Sequence, residues 1–521
     1  LFRFVAAIRL GLRSHRCLGY RLAMLLIGAS RWNKKEDHMK KAYCFAIPFV
    51  RYAALCLPLA LLAACGGNDH NATGGAPPDT DRPVTHAYRE LLNLTSYDVG
   101  LYRFDVDGSA ELVKDMDHTG VVDAVMLGEL NGITYFSAST DTEGRELWRT
   151  DGTRDGTYIV QDLAPGTASG LPGGGGIVYN RALYFSAVSP AYPGTGLWKL
   201  EDGQDSPEFV TNTRSASTDD ADPSEFLAYD GQLLFYALKD DGAGGTDHKI
   251  LIGTGKAENH ELIDPAVASQ DGFNTDSALL FQGDLYFQAS AGSYGSGGLG
   301  NVLYKSDGTP EGTQVLADIN ETGDLDSDAR IGKMVSIGSD FVFPANDAAD
   351  DNSNSSHDNM EIWASDGTPA GTRMIKNLHP GSTTISSLVS NGVTAYFVAR
   401  PEGSGTCEIW RTQGTAESTQ MIGVYTDSAD LYAHGDRVLA VTRASGEEYL
   451  VSLINGATHE LTALRSFPGV VDYAFSLGAR DFVLADSDPD GWKELWVYNG
   501  DDQTFTQVKV ADDAAIGVNA H

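Results

Sequence analysis

Disulfide chemistry is almost absent from this chain: five cysteines stand among 521 residues. A framework of the kind that staples small exported domains is therefore not the source of stability. Positive charge is also scarce, with 37 Lys and Arg against 71 Asp and Glu and a net charge of −34. Such a surface repels phosphate backbones and anionic lipid, which excludes nucleic acid as a partner. Helical spacing of apolar residues is missing throughout. Also absent are His-Glu-x-x-His, Cys-x-x-Cys, Gly-x-Ser-x-Gly and a phosphate loop. Gly295-Ser-Gly297-Gly-Leu-Gly300 fits the dinucleotide fingerprint as a string. It joins two strands of one repeat, without the helix N-terminus that would hold a pyrophosphate. The twelve histidines are scattered, and each reads as a surface or locally bonded residue.

What the chain has in abundance is repetition. Glu146-Leu-Trp-Arg-Thr-Asp-Gly-Thr-Arg-Asp-Gly-Thr157 recurs to the end, with its central apolar position at Tyr102, Trp148, Trp198, Leu251, Tyr304, Trp363, Trp410, Leu450 and Trp496. In a strand successive side chains point to opposite faces, so adjacent Leu147 and Trp148 require a neighbour on both sides. Asp151-Gly152 supplies a tight-turn dipeptide, and a second strand follows from Thr157. Upstream of the hairpin recurs another strand, as in Ile133-Thr-Tyr-Phe-Ser-Ala138 and Leu285-Tyr-Phe-Gln-Ala289, and before that a weaker one ending in a turn, as in Phe226-Leu-Ala-Tyr-Asp-Gly231. Four strands per period of 40 to 59 residues predict an all-β fold, a β-propeller of four-stranded blades over residues 87–521. The literal count is nine blades, or eight if one degraded copy is an insertion. The first unit lacks an obvious first strand near Arg89. Ala514-Ala-Ile-Gly-Val518 is expected to fill that gap, closing the ring by pairing N- and C-terminal strands.

These repeats resemble the ELWxxDGT-repeat proteins, a bacterial lipoprotein family, over roughly residues 90 to 510. The resemblance is most specific in the five Trp-containing units. It implies a propeller and a secreted or surface location, and no settled activity. The Asp-Gly-Thr turn is also similar to the Asp-box of sialidases, which lies away from their catalytic centre. Because Trp148, Trp198, Trp363, Trp410 and Trp496 occupy one equivalent position, packing between blades accounts for them.

The N-terminal part reads as an export signal. Residues 1–38 are expected to be an over-called extension, with the start at Met39. Lys40-Lys41 and the apolar stretch Ala53 to Ala64 make residues 39–64 a signal peptide too short to span a bilayer as a retained helix. Leu62-Ala63-Ala64-Cys65-Gly66 resembles a lipobox, which implies lipidation of Cys65, and Gly66 after it resembles an outer-membrane sorting signal, facing the periplasm or the surface. Cys44 and Cys56 leave with such a signal, so Cys65 and Cys407 alone remain. Residues 65–86 form a flexible Gly/Pro tether. Residues 1–64 carry 11 of the 37 basic and 2 of the 71 acidic residues, leaving 26 against 69, a net of −43.

One loop has metal-ligand spacing. Asp486-Ser-Asp488-Pro-Asp490-Gly-Trp492-Lys-Glu494 places carboxylates at alternate positions, with the Trp492 carbonyl as the backbone ligand and a glycine that lets the loop turn. A hard cation such as Ca²⁺ takes several oxygen ligands arranged in this way. The loop resembles calcium loops of integrin-type propellers and departs from an EF-hand at Val497. Asp324-Leu-Asp326-Ser-Asp328 lacks the glycine. The expectation is a lipid-anchored envelope or cell-surface propeller, calcium-stabilised through this loop, acting as a binding or scaffolding module whose partner is an envelope protein or an extracellular glycan. The alternative is a glycan hydrolase or lyase on the same scaffold, which requires a non-repeating cluster of acid, base and Arg.

Overall fold

The structure is a computed structural model. It describes residues 86–92, 99–115, 122–140, 142–173, 175–214, 219–240, 246–253, 259–261, 277–290, 301–320, 329–346, 360–379, 383–444, 446, 448–487, 493–508 and 517–518. These residues form antiparallel strands, turns and connections, an all-β chain. Seven consecutive four-stranded meanders build a β-propeller arrangement: sheet 2 (122–161), sheet 3 (176–211), sheet 4 (224–261), sheet 5 (279–317), sheet 6 (335–376), sheet 7 (383–425) and sheet 8 (428–467). Sheet 1 (86–115) has three strands, and sheet 9 (471–507) gains a fifth from Gly517–Val518.

The alternation of side chains explains why the sheets stack. Leu147 packs with Leu183 and Phe185 of sheet 3, while its neighbour Trp148 packs with Leu101 and Val113 of sheet 1. The same division recurs at Leu197 and Trp198, Ile409 and Trp410, and Leu495 and Trp496. The aliphatic residue faces the following sheet and the indole the preceding one. Among the described residues every buried apolar cluster joins two neighbouring sheets in chain order, save one that joins sheet 9 back to sheet 1. There Phe104 meets Phe475 and Phe482 edge-on, with ring centroids 5.2 and 5.3 Å apart.

A bulge recurs at the indole. The ladder between third and fourth strands shifts register between Leu147 and Trp148, and equally at Leu197/Trp198, Leu303/Tyr304, Ile362/Trp363 and Ile409/Trp410. The extra residue lies in the fourth strand, since Leu147 pairs Gln161 and Trp148 pairs Ile159. In sheet 8 the shift falls between Val451 and Ser452. The central position of that repeat is therefore Ser452, not Leu450 as the spacing suggested.

The expected pairing of terminal strands is also corrected. Gly517–Val518 pairs with Glu494 and Lys493 of the strand Lys493–Asn499, whereas His86–Leu92 pairs with Val99–Asp105. The fourth strand of sheet 9, Thr504–Gln507, covers Trp496 to Asn499 only. This leaves the edge at Lys493 and Glu494 open, and the C-terminal pair takes those backbone groups.

Candidate functional site

An antiparallel meander sorts its connections. The tight turns between first and second strands and between third and fourth strands lie at one end of each sheet. Connections between second and third strands, and from one sheet to the next, lie at the other. The tight-turn end is repetitive. In sheet 2 Asp151 Oδ1 accepts the Thr153 N–H at 2.9 Å and its hydroxyl at 2.6 Å, while Gly156 N–H donates to Thr153 Oγ1 at 3.0 Å. Asp307 with Thr309 and Gly312, and Asp366 with Thr368 and Gly371, repeat the set within 0.1 Å. These donors hold the three carboxyls below the usual aspartate range. A β-carbon at Gly156 would lie 1.9 Å from Asp151 Oδ1, so the turn requires glycine there.

The other end is irregular, and buried polar groups on third strands pin its connections. Glu146, fully buried, accepts N–H bonds from Leu163 (2.9 Å), Ala164 (3.3 Å) and Gly170 (2.9 Å) in the connection from sheet 2 to sheet 3. Burial outweighs those three donors and pushes its carboxyl up to about 7. In sheet 3 Thr195 does the equivalent work. Its hydroxyl donates to Asp222 at 2.8 Å, and its carbonyl accepts the Ala221 N–H at 3.0 Å. Glu408 in sheet 7 instead meets His379 Nε2 at 2.7 Å and the Trp410 indole N–H at 2.9 Å.

Of the loop expected to hold calcium, Asp486 and Glu494 are described. Asp488, Asp490 and Trp492 lie outside the described residues, as do Cys65 and the stretches 324–328 and 295–300. Glu494 Oε2 accepts the Ser487 N–H at 2.9 Å, and Asp486 Oδ1 is buried without a hydrogen-bond partner. A buried carboxylate oxygen without a donor is an acceptor of the kind a hard cation takes as ligand. Among the described residues no group of three or more His, Cys, Asp or Glu is placed to hold a metal. Cys407 is buried, and burial pushes its thiol up.

A cluster that the sequence did not reveal lies at the junction of sheets 8 and 9, at the tight-turn end. Asp481, 1% exposed, sits with His434 Nδ1 at 3.0 Å, Ser476 Oγ at 2.7 Å and Arg437 Nη2 at 3.3 Å. Arg437 Nη2 also lies 3.0 Å from His434 Nδ1, and Arg437 Nη1 donates to the Ala479 carbonyl at 3.2 Å. The guanidinium stands 5.9 Å over the Tyr498 ring, and Tyr498 Oη is buried with no partner. Acid, base and Arg thus converge at one place. The signal was present in the repeat alignment: where His434 stands, other turns carry Leu130, Tyr179, Tyr229, Phe281 and Ile337.

No family model matches the chain, and no curated protein matches it. Solved structures that match part of the chain include a puromycin hydrolase at 14% identity, covering 63% of this chain and 52% of that one with a TM-score of 0.34. Prolyl oligopeptidase B from Galerina marginata matches at 11% identity, 65% and 49% coverage and a TM-score of 0.39. Oligogalacturonate lyase from Vibrio parahaemolyticus matches at 10% identity, 80% and 96% coverage and a TM-score of 0.35. The chain spans about half the length of the peptidases it matches.

Proposed function

We propose that this protein is an exported lipoprotein, anchored to the outer membrane through Cys65, facing the periplasm or the surface, whose nine sheets form one closed ring that binds or scaffolds a partner. The partner in this reading is an envelope protein or an extracellular glycan. One observation carries it: the two ends of the sheets differ in kind. Residues that recur are used up in packing and in the Asp-Gly-Thr turns. Sequence variation gathers at the opposite end, where buried groups such as Glu146 and Thr195 fix long connections in place. Variable connections on a rigid scaffold are where binding residues concentrate. The contact of Phe104 with Phe475 and Phe482 supports closure.

Calcium belongs to the same reading. Asp486, Asp488, Asp490, the Trp492 carbonyl and Glu494 would hold it, and the orphaned Asp486 oxygen supports that set. The ion would supply rigidity to the loop preceding the last hairpin. Affinity capture of the lipidated protein from envelope fractions, with and without calcium, tests the whole. A reproducible partner lost on Cys65→Ala or on chelation is expected; a protein that stays out of the membrane fraction with Cys65 intact removes the anchor.

The second reading, a glycan hydrolase or lyase, is favoured by the non-repeating Asp481, His434 and Arg437. A carboxylate behind an imidazole orients it for proton transfer. Incubation with neutral and uronate-containing polysaccharides tests it, and chain shortening abolished by His434→Ala is the supporting result.

A further inference from the structure

At the five junctions from sheets 2 and 3 to sheets 6 and 7 the positions of His434 and Asp481 are apolar and packed together; Ser390 of sheet 7 and Thr134 of sheet 2 are small hydroxyl residues at the same two positions. The second-strand residue cross-strand from the position two after the central aromatic is Leu183, Leu285, Phe341 or Ala395, each fully buried. Its counterpart in sheet 9 is Asp481, cross-strand from Tyr498. The residue that ends the first strand of the preceding sheet meets it across the junction. Between sheets 5 and 6 that meeting is Phe281 on Phe341, with ring centroids 5.3 Å apart; between sheets 8 and 9 it is His434 on Asp481. Two apolar residues have thus been exchanged together for an imidazole and a carboxylate. A buried ion pair is often no more stable than apolar residues of similar volume, so packing alone gives no reason for the exchange. Charged residues at both positions occur together only at this junction among the described residues, and a departure of that kind from a repeat pattern marks a functional site.

We propose that this junction is a binding site for a small ligand bearing a single carboxylate. His434 Nδ1 lies 3.0 Å from both Arg437 Nη2 and Asp481 Oδ1. It can accept from the guanidinium or donate to the carboxylate, and in the first case the ring proton sits on Nε2, which has no hydrogen bond among the described residues. His434 is 30% exposed and Arg437 19%, so both reach the surface while Asp481 and Ser476 fix them from behind. An N–H beside a planar guanidinium is a donor set suited to a carboxylate. Charge sets the valence. Arg437 is the one permanent cation of the cluster and already faces Asp481 at 3.3 Å, so the site offers no charge to match a dianion. A dianionic phosphate would remain uncompensated in a chain of net charge −34. The buried Tyr498 hydroxyl, lacking a partner, is a further donor at the same place.

The site lies at the tight-turn end, away from the long connections assigned to macromolecular recognition, so its test is independent of that reading. Saturation-transfer NMR and calorimetry with acetate and D-glucuronate on the full chain measure it. The decisive variant restores the repeat, His434→Leu with Asp481→Leu. It is expected to melt no lower than the parent and to bind either probe at least tenfold more weakly. Arg437→Gln is expected to weaken binding equally without the double change. Saturable binding that survives the restored junction overturns the proposal, as does a parent protein that binds neither probe. Binding without turnover of polysaccharide supports the site and removes the enzymatic reading.

Discussion

At the scale of single residues, Glu146 shows how a buried charge serves the fold. Three amide donors converge on its carboxylate, yet burial raises the carboxyl from 4.5 to about 7. The sign follows from linkage: the folded state holds a proton that the unfolded chain releases, so the contribution is complete below about 4.5 and is lost as pH rises through about 7. At most this is roughly 3 kcal/mol, taking 1.36 kcal/mol per pH unit. Thermal unfolding of the wild type between pH 5 and 7 should fall with pH by more than that of Glu146→Gln, whose slope flattens. Parallel slopes would show the carboxyl to be ordinary. The amide should lower stability most below about pH 5, by about 1–3 kcal/mol, because its NH₂ faces backbone donors, and the deficit should narrow as pH rises. That Glu146 lies in the third strand was legible in the repeat, but its three donors were not, since Gly170 is 24 residues away along the chain. His434 and Asp481 were hidden for a related reason. Each breaks its own repeat by one residue, and only the junction brings the two breaks together.

At the scale of the element, the Asp-Gly-Thr turn is the most readable part of the chain. Its bonds are local, from Asp151 to Thr153 and from Thr153 to Gly156, so spacing alone specified them. Asp151→Ala removes two bonds and should cost about 1–2 kcal/mol. Gly156→Ala should cost more, because its β-carbon would stand 1.9 Å from the same Oδ1. In the double variant the clash disappears with the carboxylate, so the combined loss should be smaller than the sum of the two. Chemical denaturation of the three proteins checks this, and strict additivity would mean that the turn relaxes elsewhere. The eighth repeat marks the limit of such reading. Without an indole, spacing put its centre at Leu450, and only the bulge before Ser452 located it. Gly517–Val518 likewise follows an open edge in sheet 9, a fact about partners that no local pattern records.

At the scale of the molecule, the scarce cations and the first-to-last contact address the same question, what holds the sheets together. Lys114 of sheet 1 lies 5.3 Å over Trp148 of sheet 2, Lys376 of sheet 6 lies 5.9 Å over Trp410 of sheet 7, and Arg465 of sheet 8 lies 3.9 Å over Trp496 of sheet 9. A cation on the outer strand of one sheet thus caps the indole of the next, each worth about 0.5–2 kcal/mol. In a ring every junction bears equally on the whole, whereas in an open stack the terminal junction would not exist as a constraint. Phe482→Ala, at the contact of sheet 9 with sheet 1, should therefore cost about 3–5 kcal/mol, as much as Trp148→Ala in the body of the propeller. Both variants should unfold in one calorimetric transition at a lowered temperature. A separate early transition for Phe482→Ala, with the main one unmoved, would mean that sheets 1 and 9 are the free ends of a stack and would remove closure from the proposed function.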